Sequence, residues 1–266
     1  MYLKIRFMNI FNLEKINNQI TIELHGTNGW FETANGSTSC IGVYTSKCNI
    51  LFDIGTGFKN VSPIKTKGKP LSIFLSHLHF DHIYGIHILG LHKPSNVKIF
   101  LPQKLMSEFK LIAKPPFVKD LTNLGFPVEI CGIEAKEYKE DHFIFEAIDI
   151  VHNTDIFAYK IKINDKSICY CVDTKSCNNA YSISQNSDVL ICDSALKIDE
   201  SSEGKYHMNM QEAALIAKES KVKLLVLTHF GALRYRTIQE RFDEAKSIEA
   251  IFKNHIVGTD NLVINL

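Results

Sequence analysis

Three histidines and one aspartate lie within six consecutive residues of the chain, in segment 77–82 (HLHFDH). The segment follows the apolar stretch 71–75, which is typical of a buried strand, and precedes 83–91, which predicts a helix. So many polar side chains at the end of a core strand are costly to bury unless a partner satisfies them together. Imidazole suits zinc and iron, and a carboxylate adds an oxygen that manganese and iron accept. The segment therefore predicts a metal site, with His77 and His79 facing one position and Asp81 and His82 a second.

Three further polar residues stand where apolar stretches end. They are His152 after 143–151, Asp173 after 167–172 and His229 after 223–228. Taken singly, each is a weak signal, because an isolated histidine at the end of a strand is usually structural. Apolar stretches alternate with helical patterns in two similar halves of the chain, which indicates an α/β fold.

The pattern His-x-His-x-Asp-His in 77–82 resembles the signature of the metallo-β-lactamase-fold superfamily. The resemblance implies a four-layer αββα sandwich of two mixed β-sheets. The turn Gly26-Thr27-Asn28-Gly29 and the strand end Phe52-Asp53-Ile54-Gly55 resemble the opening of the superfamily's phosphodiesterase-like branch. In that branch the acid at the position of Asp53 fixes the loop that carries the ligands, although aspartate near glycine is also an ordinary turn former.

The order of the polar residues matches what the superfamily implies for a site with two metal ions. One ion would be held by His77, His79 and His152, the other by Asp81, His82 and His229, with Asp173 bridging them. Zinc is the expected metal, with manganese or iron as alternatives. The resemblance also implies that Asp81 and His207 act in the reaction, His207 as general acid. The alternative for His207 is a surface histidine that precedes the helix cap Asn209.

The resemblance points to phosphoester hydrolysis, since two cations lower the pKa of a shared water and neutralise a developing oxyanion. The turn Asp81-His82-Ile83-Tyr84-Gly85 resembles the corresponding turn of the phosphodiesterase branch, which includes ribonuclease Z. It is less similar to that of thioesterases, which usually carry two glycines there. Only 20 residues separate His152 from Asp173, too few for the tRNA-gripping arm that ribonuclease Z inserts there. The expected substrate is therefore a small cyclic phosphodiester, a cyclic nucleotide or a cyclic ribose phosphate. A ribonuclease Z-like endonuclease, a lactonase or thioesterase, and a nucleotide binder without activity remain as alternatives.

Charge and composition set limits on the partners. The 30 basic residues nearly balance the 29 acidic ones, and the net charge of +1 does not indicate binding to long nucleic acid. Residues 93–119 hold six lysines against one acidic residue, which predicts a solvated surface or, alternatively, a rim that attracts phosphate.

The remaining features favour one domain in the cytoplasm. With 45% apolar residues, the chain can form one large core, and a single domain over 1–266 is expected, in which 1–18 add an extra strand or an oligomer contact. No apolar run approaches the roughly 18 residues of a membrane span, and the N-terminus has no signal-peptide pattern. Seven cysteines without a Cys-x-x-Cys pair are typical of packed thiols in a reducing compartment. The resemblance also makes a homodimer a reasonable expectation.

Overall fold

The computed structural model describes residues 19–266. The extra strand expected within 1–18 lies outside the described residues, and the single-domain organisation stays a prediction. In chain order, the described strands are β1 (Thr21–Gly26), β2 (Asn28–Gly29), β3 (Cys40–Tyr44), β4 (Asn49–Phe52), β5 (Pro70–Phe74), β6 (Asn96–Pro102), β7 (Val128–Ile133), β8 (Glu137–Lys139), β9 (Ile144–Asp149), β10 (Phe157–Ile163), β11 (Lys166–Cys171), β12 (Val189–Asp193), β13 (Leu224–Thr228), β14 (Phe230–Gly231), β15 (His255–Val257) and β16 (Leu262–Asn265).

These strands form two seven-stranded sheets and one two-stranded ribbon. The first sheet has the order β16-β1-β3-β4-β5-β6-β7, and the second has the order β15-β13-β12-β11-β10-β9-β8. In the first sheet β4 to β7 run parallel, and in the second β11, β12, β13 and β15 do so. The other pairs in each sheet are antiparallel, so both sheets are mixed, as the sequence predicts.

The central strands bury both of their faces, because successive side chains point to opposite sides of a sheet. On β5, Phe74 enters the core between the two sheets, whereas Ile73 packs on the outer side beneath helices. On β12, Ile191 enters the same inter-sheet core, and Leu190 packs outward with the helix Met210–Glu219. The result is four layers, helices, sheet, sheet and helices, which confirms the predicted αββα sandwich.

Helices cover the two outer faces. The α-helices span Pro63–Thr66, Phe80–Ile83, Met106–Ile112, Asn178–Ser184, Met210–Glu219 and Ile238–Ala245, and 3-10 helices span Thr56–Asn60, Tyr84–Leu91, Gln103–Leu105, Leu121–Asn123 and Lys246–Ile248. The helix predicted over 209–220 is present, and Asn209 caps it by accepting hydrogen bonds from the amides of Gln211 and Glu212.

Two predicted helices are less regular than expected. Residues 84–91 wind as a 3-10 helix because Gly85 presses against the loop after β4: its amide donates to the Ile54 carbonyl over 2.6 Å, and a Cβ there would lie 2.5 Å from Phe58. The predicted helix 237–252 is α-helical only over Ile238–Ala245. The sequence missed β2, β7, β8, β14 and β15. All of these except β7 have only two or three residues, too few for a period-2 pattern to show.

Among residues 19–266, no helix combines the length and the apolar character that a bilayer crossing requires. The seven cysteines are free thiols, and five of them are buried. They contribute to packing, as the sequence predicts from their apolar neighbours.

The inter-sheet core is built around Phe74, which gives a test of the fold. Its ring stacks on Phe100 at 4.8 Å and meets the rings of Phe145 and Tyr159 at 4.8 and 5.2 Å. Phe74→Ala should lower the free energy of unfolding by about 3–5 kcal/mol, because it leaves a cavity between the sheets. Chemical denaturation measures the change. Phe117→Ala, at a ring that is 62% exposed, should change it little; equal losses from both substitutions would contradict this core assignment.

Candidate metal centre

Loops from both sheets meet at the edge where the parallel strands end. β5 leads into 76–82, β11 leads to Asp173, and β13 leads to His229, while His152 follows β9. The carboxyl ends of parallel neighbours share one edge of a sheet, so loops from stacked sheets bring distant residues together. All seven residues that the sequence proposed as ligands lie here, in groups whose donor atoms are within 4.8 Å of one another.

The first group contains His77, His79, His152 and Asp173. Nε2 of His152 lies 3.3 Å from Nδ1 of His79. The Asp173 carboxylate reaches both sides of the group, with Oδ2 at 3.2 Å from His77 Nε2 and Oδ1 at 3.7 Å from His152 Nδ1. Three imidazoles and one carboxylate thus converge on one small volume.

The second group contains Asp81, His82 and His229. Nε2 of His82 lies 3.2 Å from Nε2 of His229 and 3.4 Å from Oδ2 of Asp81. Asp173 Oδ2 lies 3.1 Å from His82 Nε2 and 3.7 Å from His229 Nε2. The Asp173 carboxylate therefore lies between the two groups, at the place that a bridging ligand would take.

Asp53 fixes the first of these loops from beneath. This fully buried carboxylate accepts hydrogen bonds from the amide of Ser76 (2.8 Å) and from the hydroxyl of Tyr170 (2.7 Å), which lies in the opposite sheet. It also lies 2.7 Å from Nδ1 of His82. In the neutral ring, Nδ1 donates to the carboxylate, so Nε2 carries the lone pair that faces the site. Asp53 therefore orients a ligand and ties the two sheets together.

Asp193 has the corresponding role in the second sheet, and the sequence analysis missed it. Its carboxylate accepts from the amides of Asp173 (2.8 Å) and Ala195 (2.9 Å), and it lies 3.4 Å from Nδ1 of His229. An acid at the end of an apolar stretch was the available signal, the same one that marked Asp173. That signal alone is weak, since aspartate is also common at the end of an ordinary strand.

His207 lies at the side of this cluster. Its Nδ1 is 3.1 Å from Oδ2 of Asp193 and 3.2 Å from Oδ1 of Asp173, and 29% of its side chain is exposed. The position just before the Asn209 cap aims the ring into the site rather than outward. The structure therefore favours the site position over the alternative of a surface histidine.

Three of these side chains reach the site from a left-handed backbone turn. The φ angle is 53° at Asp53, 58° at Asp173 and 57° at His229, each just after a strand. Positive φ is uncommon outside glycine, and a residue held there costs of order 1 kcal/mol. Strain of this kind is concentrated at functional sites, where the surrounding structure imposes it.

Two glycines of the predicted turns allow close packing at the site. A Cβ on Gly29 would lie 2.6 Å from the ring of His229, and one on Gly55 would lie 2.0 Å from the backbone carbonyl of Asp81. A side chain at either position would displace a proposed ligand. The glycines in the opening motifs thus serve the same site as the histidines.

Burial and neighbouring charges shift the pKa values of the site's histidines in opposite directions. Burial, reinforced by the neighbouring His82, lowers the pKa of His77 to about 4. Burial also opposes the charged form of His229, but the carboxylates of Asp173, Asp193 and Asp81 outweigh it and raise the pKa of His229 to about 10. Without a cation, the positive charge that the buried carboxylates need must come from protonated imidazole.

The donor set fits divalent cations. Several buried polar atoms in the site have no hydrogen-bond partner, namely His77 Nε2, His152 Nδ1 and Asp173 Oδ1. Buried polar atoms are rarely left unsatisfied, and imidazole with carboxylate is a donor set that suits zinc, manganese and iron. Cations held between these groups would satisfy the lone pairs that face the site.

A cavity of about 550 Å³ opens above the cluster, and its polar lining includes His79, Asp81, His152, Asp173 and His207. The lysine-rich segment 93–119 does not reach this lining. Lys98 pairs instead with Glu140 at 2.7 Å, and Lys104 pairs with Asp155 at 2.8 Å. This placement favours the solvated surface over the phosphate-attracting rim.

Comparison with known proteins agrees with this fold. A family model described as "Beta-lactamase superfamily domain" matches residues 48–230. Ribonuclease Z of Bacillus subtilis (strain 168) is 22% identical in an alignment 285 residues long with its gaps, and the alignment covers 81% of this chain and 88% of that protein. Among solved structures, the metallo-beta-lactamase fold protein YhfI from Bacillus subtilis matches with a TM-score of 0.76 and 20% identity, covering 94% of this chain and 100% of that one. Zn²⁺-bound PqqB from Methylobacterium extorquens matches with a TM-score of 0.69 and 12% identity, covering 92% and 100%.

Cation binding should stabilise the fold measurably, because it would satisfy buried donors that lack partners. Zinc or manganese added to protein stripped with EDTA should raise the melting temperature, by the equivalent of about 2.7 kcal/mol when the free cation is at 100 times its dissociation constant. Magnesium prefers oxygen ligands, so the same concentration should give a smaller shift. Equal shifts with all three cations, or none, would contradict a site built from these histidines.

Proposed function

We propose that this chain, which belongs to the beta-lactamase superfamily and is a metal-dependent hydrolase, cleaves small cyclic phosphodiesters. The observation that carries the proposal is the position of Asp173, whose carboxylate lies between two groups of imidazole donors. Two divalent cations need a shared anionic ligand, and this geometry supplies one.

The chain's own residues would hold the two cations in the following way. His77, His79 and His152 would bind one, Asp81, His82 and His229 would bind the other, and Asp173 would contact both. Zinc is the metal we propose, with manganese or iron as alternatives. When bound, the cations would supply an activated water and charge neutralisation for the phosphoryl group. Asp53 and Asp193 would keep the imidazole rings in their binding tautomers and orientations.

His207 is the residue that we propose as general acid. Its Nδ1 faces the carboxylates of Asp193 and Asp173, so Nε2 is the nitrogen left to face the cavity. A proton held at Nε2 can pass to the oxygen of the departing alcohol, which otherwise leaves as a costly alkoxide. Asp193 would hold the ring in place during that transfer, since it accepts from the opposite nitrogen.

The region between His152 and Asp173 supports a small substrate. It forms the hairpin of β10 and β11, joined by the tight turn Asn164-Asp165, and it inserts no arm between the two strands. The relatives named ribonuclease Z favour RNA cleavage as the second candidate function. A lactonase or thioesterase would use the same site with a different substrate.

The free buried thiols support a reducing cytoplasm as the location, and the homodimer stays a prediction.

Hydrolysis assays test the reaction class. The substrates are bis(p-nitrophenyl) phosphate, 3′,5′- and 2′,3′-cyclic nucleotides and a short RNA. Turnover should require added zinc or manganese, and Asp173→Ala should lower it at least about 100-fold by removing the shared ligand. Asp165→Ala, at the exposed hairpin turn, is the matched control and should retain full rate. Two bound cations without turnover of any phosphodiester would sink the proposal, and lactones and thioesters would then be tested in its place.

His207→Ala separates an enzyme from a nucleotide binder. The substitution should lower kcat by about 10²–10⁴-fold while the affinity for a product nucleotide stays within a few-fold, because the lost group acts on the leaving alcohol. His142→Ala, at an exposed histidine outside the cavity lining, should leave both quantities unchanged. If His207→Ala kept the wild-type kcat, the histidine would not be the proton donor.

A further inference from the structure

The cavity above the metal centre has an aromatic mouth. Trp30, Phe80 and Tyr206 all line it, and their side chains are 68%, 75% and 42% exposed. Single exposed apolar side chains are common on protein surfaces, but a cluster of large aromatic rings is typical of a place where a ligand or partner binds. Here three of them surround one opening.

Each of these residues is a direct neighbour of residues of the metal centre. Phe80 stands between His79 and Asp81 in the chain, and Tyr206 precedes His207. The Tyr206 ring also packs edge-on against the ring of His152, with centroids 5.5 Å apart. The mouth is therefore positioned by the same contacts that position the proposed ligands.

The backbone of Trp30 contacts the proposed ligand Asp81 directly. Its backbone amide donates to Oδ2 of Asp81 over 2.7 Å, and its φ angle of 74° is strained for a bulky residue. Strain at such a residue persists only when the surroundings impose it, and it is typical of ligand-binding positions. The backbone of Trp30 is thus held beside Asp81, and from that position its ring lines the opening.

The charges of the lining indicate which part of a substrate the floor and the mouth of the cavity contact. Within the described chain, neither lysine nor arginine contributes to the lining of this cavity. A phosphate would have to be met at the floor, by the metal centre, so the mouth is left to contact an uncharged part of the substrate. Flat aromatic rings recognise a flat partner by stacking.

We infer that Trp30 and its aromatic neighbours stack the base of a nucleoside, so that the substrate is a nucleoside phosphodiester rather than a cyclic sugar phosphate. That the metal centre binds the phosphate of this substrate rests on the proposed function, but the stacking of the base does not. Trp30 is then a specificity-determining residue, and its loss should weaken base binding by about 5- to 150-fold.

Binding without chemistry tests the inference directly. Adenosine 5′-monophosphate and ribose 5-phosphate carry the same phosphate and differ only in the base. Trp30 is the chain's single tryptophan, so quenching of its fluorescence reports stacking at the mouth. Metal-loaded protein should bind the adenosine monophosphate at least about tenfold more tightly and show quenching with that ligand alone.

Calorimetry on variants completes the test, since it needs no fluorophore. Trp30→Ala should abolish the preference for the adenosine nucleotide without changing the affinity for ribose 5-phosphate, which also shows that the variant is folded. Trp30→Phe should restore most of the preference, and Phe242→Ala, at a 44% exposed ring outside the cavity, should keep all of it.

Equal affinities for the two phosphates, or a preference that survives in Trp30→Ala, would overturn the inference even if phosphodiesters are hydrolysed. A preference that depends on Trp30, found in a protein that hydrolyses no phosphodiester, would uphold the stacking site and refute the proposed function alone.

Discussion

The structure depends on how three buried carboxylates are satisfied at the edge where the two sheets meet. Asp53, Asp173 and Asp193 are almost completely buried, and an isolated buried carboxylate is among the most costly groups in a folded protein. Each is stabilised by donors from another segment of chain. Asp53 accepts from Tyr170 in the opposite sheet, and Asp193 accepts from the amide of Asp173. The requirement to pair these charges therefore fixes the relative position of the loops.

This requirement also orients the imidazole rings of the site. A histidine that donates one ring nitrogen to a buried carboxylate can present only the other nitrogen to the site, and it can present it in one direction. His82 is held in this way by Asp53, and His207 by Asp193. The left-handed turns at Asp173 and His229 are maintained by the same contacts, because the backbone strain is small beside the cost of leaving the charges unpaired.

The sequence predicted the parts of this arrangement that depend on local pattern. The segment 77–82 follows an apolar strand so closely that a site at the strand end could be predicted, and His152 and His229 occupy equivalent ends. Asp193 was missed because an acid after an apolar stretch is equally common at an ordinary turn, and only its contacts distinguish it. The 3-10 winding of 84–91 was missed for a similar reason, since it arises from the approach of Gly85 to a loop about 30 residues earlier in the chain. Properties that depend on long-range contacts are not expressed in local periodicity.

The division between floor and mouth follows from the same physics. The floor is built from strand ends and buried pairs, so almost any substitution there would leave a charge unpaired or displace a donor. The rings of Trp30, Phe80 and Tyr206 are exposed, and their removal leaves no buried group unsatisfied. They can therefore differ among proteins that share this floor without cost to the fold. Because the Trp30 amide donates to Asp81, the backbone that carries this ring nevertheless keeps its place beside the centre. In a site of this design the residues that carry out the reaction cannot change easily, whereas the rings at the mouth can. The substrate preference that we infer therefore depends on the rings at the mouth.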